Sequence, residues 1–270
     1  MYCDNKCEAE PQEEGRNMKD SKDYKNFNRK ENLKLASKVV HGALGVDPVT
    51  GALSFPIYQT ATFEHHSVDK QEPYNYARCI NPTREELEKT MTILEEGTRA
   101  FAVNSGMAAI TLVFSLLKPG DHLIMSDDIY GGTFREVNEV LEVYGIEHDS
   151  IDLSDLDLLK RTIKKNTKMI FVETPTNPMM KVADIEKIAK IGHDIGALVV
   201  VDNTFLTPYF QRPLTLGADI VVHSGTKYLA GHNDVLAGIV VVKDSKIGEI
   251  LEIKMYIYGA GLGPMDSWIM

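Results

Sequence analysis

Leu198-Val-Val-Val-Asp202-Asn-Thr204 and Ile220-Val-Val-His-Ser-Gly-Thr-Lys227-Tyr228 are two short apolar runs, each handing over to a cluster of polar residues. Neither run alternates apolar with polar positions. Such unalternating Val/Ile-rich segments belong to strands covered on both faces, the condition of a parallel sheet between helices. Working outward, similar runs stand at Phe101-Ala-Val103, His122-Leu-Ile-Met125, Met169-Ile-Phe-Val172 and Ile239-Val-Val-Val242. Helical periodicity fills most of the gaps, as from Met107 to Leu117 and from Ile185 to Ile195. The pattern predicts an α/β chain with a largely parallel sheet.

Composition narrows the function classes. A chain of 270 residues that is 43% hydrophobic and 25% charged is an ordinary globular one, long enough for a sizeable core. Its formal net charge of -10 opposes nucleic acid and anionic membranes at long range, so an anionic ligand needs a locally prepared pocket. No apolar run is long enough to span a bilayer, and the first residues lack the apolar core of a signal peptide, so a cytoplasmic location is expected. Cys3 and Cys7 lie in a polar stretch far from Cys79, which gives neither a disulfide framework nor a metal site.

Residues 1–34 are rich in charge, with Glu8, Glu10, Glu13, Glu14, Lys19 and Asp20, and read as a disordered or loosely attached tail. Residues 35–82 show little periodicity and read as an N-terminal arm. At Asn81-Pro-Thr-Arg-Glu-Glu-Leu87 the pattern changes to a helix start, with Asn81 as cap, Pro82 in the first turn and Glu85 and Glu86 at the positive end. The main domain is expected over 83–254. Gly259-Ala-Gly-Leu-Gly263 has the wrong spacing for a dinucleotide loop and reads as a flexible bend.

In sheets of this kind ligands gather beyond the carboxyl ends of the strands. The residues following successive runs are Asn104-Ser-Gly-Met107, Tyr130-Gly-Gly-Thr133, Glu173-Thr-Pro-Thr-Asn-Pro178, Asp202-Asn-Thr204 and Ser224-Gly-Thr-Lys227. Each alone is compatible with loop chemistry; together they point to one site. Lys227 reads as a solvated lysine, a phosphate ligand or a Schiff-base amine, and no Gly-x₄-Gly-Lys-Ser/Thr surrounds it. Asp202 ends a strongly apolar run, where a carboxylate needs a cationic or hydrogen-bonding partner, unless it merely caps a turn. Ser105-Gly106-Met107 stands where a strand turns into a helix, as an anion site or a plain Ser cap. Tyr130 either fills core or stacks on a flat ring.

These residues resemble the transsulfuration family of pyridoxal-phosphate enzymes, the cystathionine γ-synthases and γ-lyases. The resemblance rests on Tyr76-x-Arg78 with Asn81-Pro-Thr83, Ser105-Gly-Met107, Tyr130-Gly-Gly-Thr133, Glu173-Thr-Pro-Thr-Asn-Pro178, Asp202-Asn-Thr204 and Ser224-x-Thr-Lys-Tyr-x-x-Gly-His232, and runs from about His41 to the last residue. It implies the large domain of fold-type I, the aspartate-aminotransferase-like α/β fold with a mostly parallel seven-stranded sheet. It implies pyridoxal 5'-phosphate as cofactor, held as a Schiff base on Lys227. Asp202 would pair with the ring nitrogen, and Tyr130 would stack on the ring and move protons. Ser105, Gly106, Met107, Ser224 and Thr226 would hold the phosphate, and Asn177 would meet the ring hydroxyl.

Tyr76 and Arg78 would reach the phosphate in a neighbouring subunit, making the working unit a homodimer or homotetramer. Family members continue past Met270 into a smaller C-terminal domain that carries an arginine for the substrate carboxylate, so 255–270 would begin a domain largely missing here. Gly132 stands where many methionine γ-lyases have a cysteine. The expected activity is γ-elimination on cystathionine or homocysteine, with γ-replacement on an activated homoserine ester, methionine elimination and an inactive cofactor-binding paralogue as alternatives. A nicotinamide dehydrogenase is disfavoured by the lack of Gly-x-Gly-x-x-Gly after a first strand.

Overall fold

Val199, Val200 and Val201 are fully buried although their side chains point alternately to opposite sides of the sheet, so both faces are covered. This computed structural model describes residues 33–41, 47, 49–67, 69 and 72–270. The tail expected over 1–34 falls outside the described residues except for Leu33 and Lys34, and so do Cys3 and Cys7.

The helices are α1 Leu35–His41, α2 Pro82–Glu95, α3 Gly106–Phe114, α4 Gly131–Arg135, α5 Leu156–Thr162, α6 Ile185–Asp194, α7 Thr207–Phe210, α8 Ser245–Tyr258 and α9 Pro264–Ile269. A π-helical stretch, Glu136–Leu141, continues α4. The strands are β1 Arg99–Val103, β2 His122–Ser126, β3 Glu147–Ile151, β4 Thr167–Glu173, β5 Leu198–Asp202, β6 Ile220–Ser224 and β7 Gly238–Val242. They form one seven-stranded sheet in the order β1-β7-β6-β5-β4-β2-β3.

The pairs of β2 with β3 and β4, of β4 with β5 and of β5 with β6 are parallel. β7 runs antiparallel to both its neighbours, β6 and β1. The alternating faces of the strands feed two cores. Ala100, Ile124, Ile170, Val199, Val201 and Val221 join the layer of α2 and α6, while Phe101, Leu123, Phe171, Val200 and Val222 join that of α3 and α8. Burying one such Val or Ile side chain is worth roughly 1.5–3 kcal/mol.

Helix α6 shows how one layer seats. Ile185, Ile188, Ala189 and Gly192 are buried, one face at helical spacing. A Cβ on Gly192 would lie 2.5 Å from Val199 Cγ2, so this close approach needs glycine. Asn81 caps α2 as expected, accepting from Thr83 N at 3.0 Å and Arg84 N at 3.4 Å, and its Nδ2 donates to Tyr58 O at 2.9 Å.

Three features depart from the sequence reading. β3, with the sequence Glu-His-Asp-Ser-Ile, is a half-exposed edge strand whose polar residues hide it among loop signals. β7 is antiparallel because residues 225–237 return from β6 without the crossover helix that a parallel neighbour requires. Residues 259–263 are pinned to the end of β1 rather than free to bend: Leu262 N donates to Ala102 O at 3.0 Å, Asn104 N to Ala260 O at 2.9 Å, and Leu262 is buried. The 254/255 boundary falls inside α8, and α9 packs on α2. Among the described residues no helix is long and apolar enough to cross a membrane.

Candidate active site

The direct return from β6 to β7 leaves the Lys227 loop at the carboxyl edge of the sheet, beside the ends of β1, β4 and β5. A cavity of about 250 Å³ opens there, lined by Ser105, Gly106, Met107, Tyr130, Asn177, Asp202, Ser224, Thr226 and Lys227. Every residue expected to hold the cofactor within one chain is therefore brought to one place.

Each wall has a local cause. Ser105 ends the β1 segment in extended backbone, and its Oγ accepts from Ala108 N at 3.0 Å, capping α3. The first main-chain bond of that helix runs from Ala109 N to Ser105 O, so the amides of Gly106 and Met107 precede the hydrogen-bonded ladder. Cap and anion site thus coexist. A Cβ on Gly106 would lie 2.9 Å from Ser224 Cβ, and one on Gly238 only 2.0 Å from Ser105 O, so glycine at both lets β6, β7 and α3 close together.

Asp202 does form an Asx turn: its Oδ1 accepts from Thr204 N at 3.0 Å and from Thr204 Oγ1 at 2.6 Å. Thr204 Oγ1 in turn accepts from Ser224 N at 2.8 Å, fixing the end of β5 against the Lys227 loop. Oδ2 of Asp202 has no hydrogen bond among the described residues and is the oxygen left for a ligand. Burial pushes the Asp202 carboxyl up, opposed by the Thr204 bonds and the nearby His223. Lys227 is exposed at the mouth, and its chain is folded back by the bond from its N to Ser224 O at 3.2 Å. The Thr226 hydroxyl is engaged by Ala237, donating to its O at 3.3 Å and accepting from its N at 3.0 Å. Tyr130 stands just before α4, its ring against Gly132, where a Cβ would lie 2.5 Å from Tyr130 Cε1.

Tyr76 and Arg78 lie elsewhere. The Arg78 guanidinium sits 5.3 Å from the Tyr76 ring centroid and 4.6 Å from that of Tyr256, and it donates to Tyr256 Oη at 3.4 Å. Both residues are exposed and outside their own chain's cavity.

The cavity also contains residues to which the sequence reading gave no role of their own: Glu173 and Thr204, quoted only as parts of motifs, and Ile110, Phe205, His223 and Leu236. Glu173 carried the same signal as Asp202, an acid closing an apolar strand. It accepts from Tyr130 N at 2.9 Å, and burial, with the Asp202 charge beside it, pushes it up to about 8. His223 turns its Nε2 to Glu95 Oε1 at 2.6 Å, and both side chains are wholly buried.

Comparison with known proteins identifies the family and the fold. Residues 36–270 match the family described as Cys/Met metabolism PLP-dependent enzyme. A cystathionine beta-lyase of Lactococcus lactis subsp. cremoris (strain MG1363) is 48% identical over 236 residues, covering 87% of this chain and 62% of that protein. A cystathionine gamma-synthase/O-acetylhomoserine (thiol)-lyase of Bacillus subtilis (strain 168) is 50% identical over 224 residues, 83% of this chain and 60% of that one. The crystal structure of cystathionine gamma-lyase from Lactobacillus plantarum complexed with L-serine superposes with a TM-score of 0.86 at 43% identity, covering 88% of this chain and 62% of that structure. The chain thus spans about three-fifths of the length of these relatives. With the family matched over residues 36–270 and the fold shared, the chain belongs to the Cys/Met metabolism family of pyridoxal-phosphate-dependent enzymes.

Proposed function

We propose that this chain carries the cofactor half of an enzyme that breaks carbon–sulfur bonds in sulfur amino acids, by γ-elimination from cystathionine or homocysteine. The observation that supports it is the meeting, in one cavity, of an amine, an unpaired carboxylate oxygen and a helix start. Pyridoxal phosphate needs these three: a nucleophile for its aldehyde, an anion for its ring nitrogen and donors for its phosphate. The residues fit that group, because the amides of Gly106 and Met107 precede the hydrogen-bonded ladder of α3, Asp202 Oδ2 is left over by the Thr204 bonds, and Lys227 lines the same cavity.

When bound, the cofactor supplies an electron sink for the pair left behind as a bond at the substrate's α-carbon breaks. Lys227 holds it, then takes the α-carbon proton and returns a proton further along the chain. Asp202 Oδ2 keeps the ring nitrogen protonated. Tyr130, which lines the same cavity, would cover the ring face and move protons there. The amides of Gly106 and Met107 with the hydroxyls of Ser105 and Ser224 receive the phosphate, and Thr226 joins them if its hydroxyl turns from Ala237. Asn177 meets the ring hydroxyl. Tyr76 and Arg78, which lie outside their own cavity, serve the site of a second copy in a homodimer or homotetramer. We assign the arm to 35–82, the cofactor domain to 83–254 and the start of a further domain to 255–270, and place the protein in the cytoplasm.

The name of the Bacillus subtilis relative favours a second reading, γ-replacement on an activated homoserine. One experiment addresses both. Purified protein with added cofactor should turn yellow, and borohydride should fix the cofactor to the peptide carrying Lys227. Oxo-acid release from cystathionine and homocysteine is the expected activity; thioether formation from acetylhomoserine and cysteine without it would favour replacement. Fixation on any other lysine would overturn the site.

A further inference from the structure

β4 and β5 end side by side, and the register that pairs Val172 with Val201 pairs Glu173 with Asp202. Paired residues of a parallel sheet present their side chains to the same face, and both carboxyls line the cavity. Glu173 is 6% exposed and Asp202 9%. Among the described residues neither forms an ion pair: Lys181, on the loop after β4, is held by Asp127 and Asp152, and His223 by Glu95. Lys227 lines the same cavity but contacts neither carboxyl.

Two neighbouring buried carboxyls without a cation cannot both ionise cheaply; one keeps a proton. Their hydrogen bonds decide which. Asp202 receives both the amide and the hydroxyl of Thr204 on one oxygen, and these donors favour the charged form. The side chain of Glu173 receives only backbone amides, that of Tyr130 at 2.9 Å foremost. We infer that Glu173 is a positioning residue, held as a neutral carboxylic acid beside an ionised Asp202, so that the site offers one negative charge while Glu173 anchors Tyr130 by its backbone. The link to the ring nitrogen rests on the function proposed above; the shared proton rests on the cavity alone.

The surroundings favour the neutral form. Burial is the main cause that pushes Glu173 up to about 8; the charges of Asp202 and, after β2, Asp128 add to it, and the amides of Tyr130 and Asn177 oppose it. From β6 and the loop after it, His223 and Lys227 share the cavity. Behind the end of β4, Asp127, Asp152 and Lys181 line a small adjoining cleft with Glu173. One net negative charge against one ring cation is what the site needs; a second would leave a buried anion unmatched.

The sign of the linkage is fixed. The folded protein keeps on Glu173 a proton that the unfolded chain has already lost above its ordinary range, so stability falls as pH rises from about 4.5 to about 8. Glu173→Gln removes this loss and keeps an acceptor for Tyr130 N–H. In the 270-residue protein without cofactor, the melting temperature of Glu173→Gln relative to wild type should therefore climb by several degrees between pH 5 and pH 9. With pyridoxal phosphate, followed by absorbance, Glu173→Gln should match the wild-type affinity at pH 7 and stay flat to pH 9, while the wild type weakens above pH 8. Glu173→Ala, lacking the anchor, should bind about tenfold more weakly at pH 7. A melting difference unchanged with pH would overturn the neutral acid, and so would failure of Glu173→Gln to take up cofactor at pH 7. Equal affinity of the Ala and Gln variants would overturn the anchor. Failure of the wild type to take up cofactor at any pH would sink the proposed function instead, leaving the melting comparison to judge Glu173.

Discussion

Gly106 and Ser224 meet across the junction of α3 and β6 with no room for a side chain between them: a Cβ at 106 would lie 3.0 Å from Ser224 Cα, a backbone atom that cannot swing aside. Gly106→Val should destabilise the fold by about 1–3 kcal/mol through overpacking and weaken cofactor binding more than tenfold, measured by urea unfolding and absorbance titration. Asp202→Asn tests the neighbouring wall. An amide keeps the Thr204 bonds but cannot pair with a protonated ring nitrogen, so the variant should hold cofactor while turnover falls by about 3 kcal/mol, on the order of a hundredfold. Unchanged turnover would show that Asp202 does no more than form its turn. Asp202 was legible because a carboxylate closing an apolar strand is conspicuous. Glu173 closes another such strand, yet nothing in the sequence tells that β4 and β5 lie adjacent and in register, and only that adjacency makes it half of a pair. His223 was hidden differently: within an apolar run a single His does not reveal that Glu95, on α2, reaches it under the sheet.

At the scale of elements, α2 was readable from its cap alone. Asn81 is buried and serves both the helix start and the arm, through Tyr58 O, so Asn81→Ala should lower unfolding free energy by about 1–3 kcal/mol. Urea denaturation would measure it; a loss under half a kcal/mol, on the same scale, would mean that water replaces the cap. The six apolar strands were equally plain, because burial on both faces leaves no polar positions to confuse the pattern. β3 was not, since an edge strand faces water along one side and keeps Glu147 and Ser150 exposed. Strand direction is not written in periodicity at all, so the reversal of β7 had to wait for three dimensions. The loop at 174–184 owes its shape to distant acids: Asp128 accepts from Thr176 Oγ1 and from Met179 N, and Lys181 bridges Asp127 and Asp152. The contacts of Asp127 and Asp128 span some fifty residues of sequence and leave no local trace.

For the whole molecule, the placement of Arg78 carries the testable statement. It lies against the Tyr76 and Tyr256 rings, exposed and outside its own chain's cavity. Mixing Arg78→Ala subunits with Lys227→Ala subunits should restore activity in heterodimers to a part of the wild-type level, since one of the two sites would then be intact. No recovery in the mixed species, checked by mass of the complex and by oxo-acid release, would place Arg78 in the service of its own chain. Order of synthesis gives the fold a further property. β1 is made first among the described strands, yet β7 is the only one of them that pairs with it, and Thr98 meets Val242 across 144 positions. At ordinary elongation rates the ribosome needs roughly ten seconds to cover that distance. During that interval β1 has no strand beside it, although α2 can already pack on it and α3 can meet β6 once Ser224 is made, while β2, β4, β5 and β6 join one another. β1, whose end leads into Ser105 and Gly106, is therefore the last of the strands to be hydrogen-bonded on a growing chain, when β7 arrives.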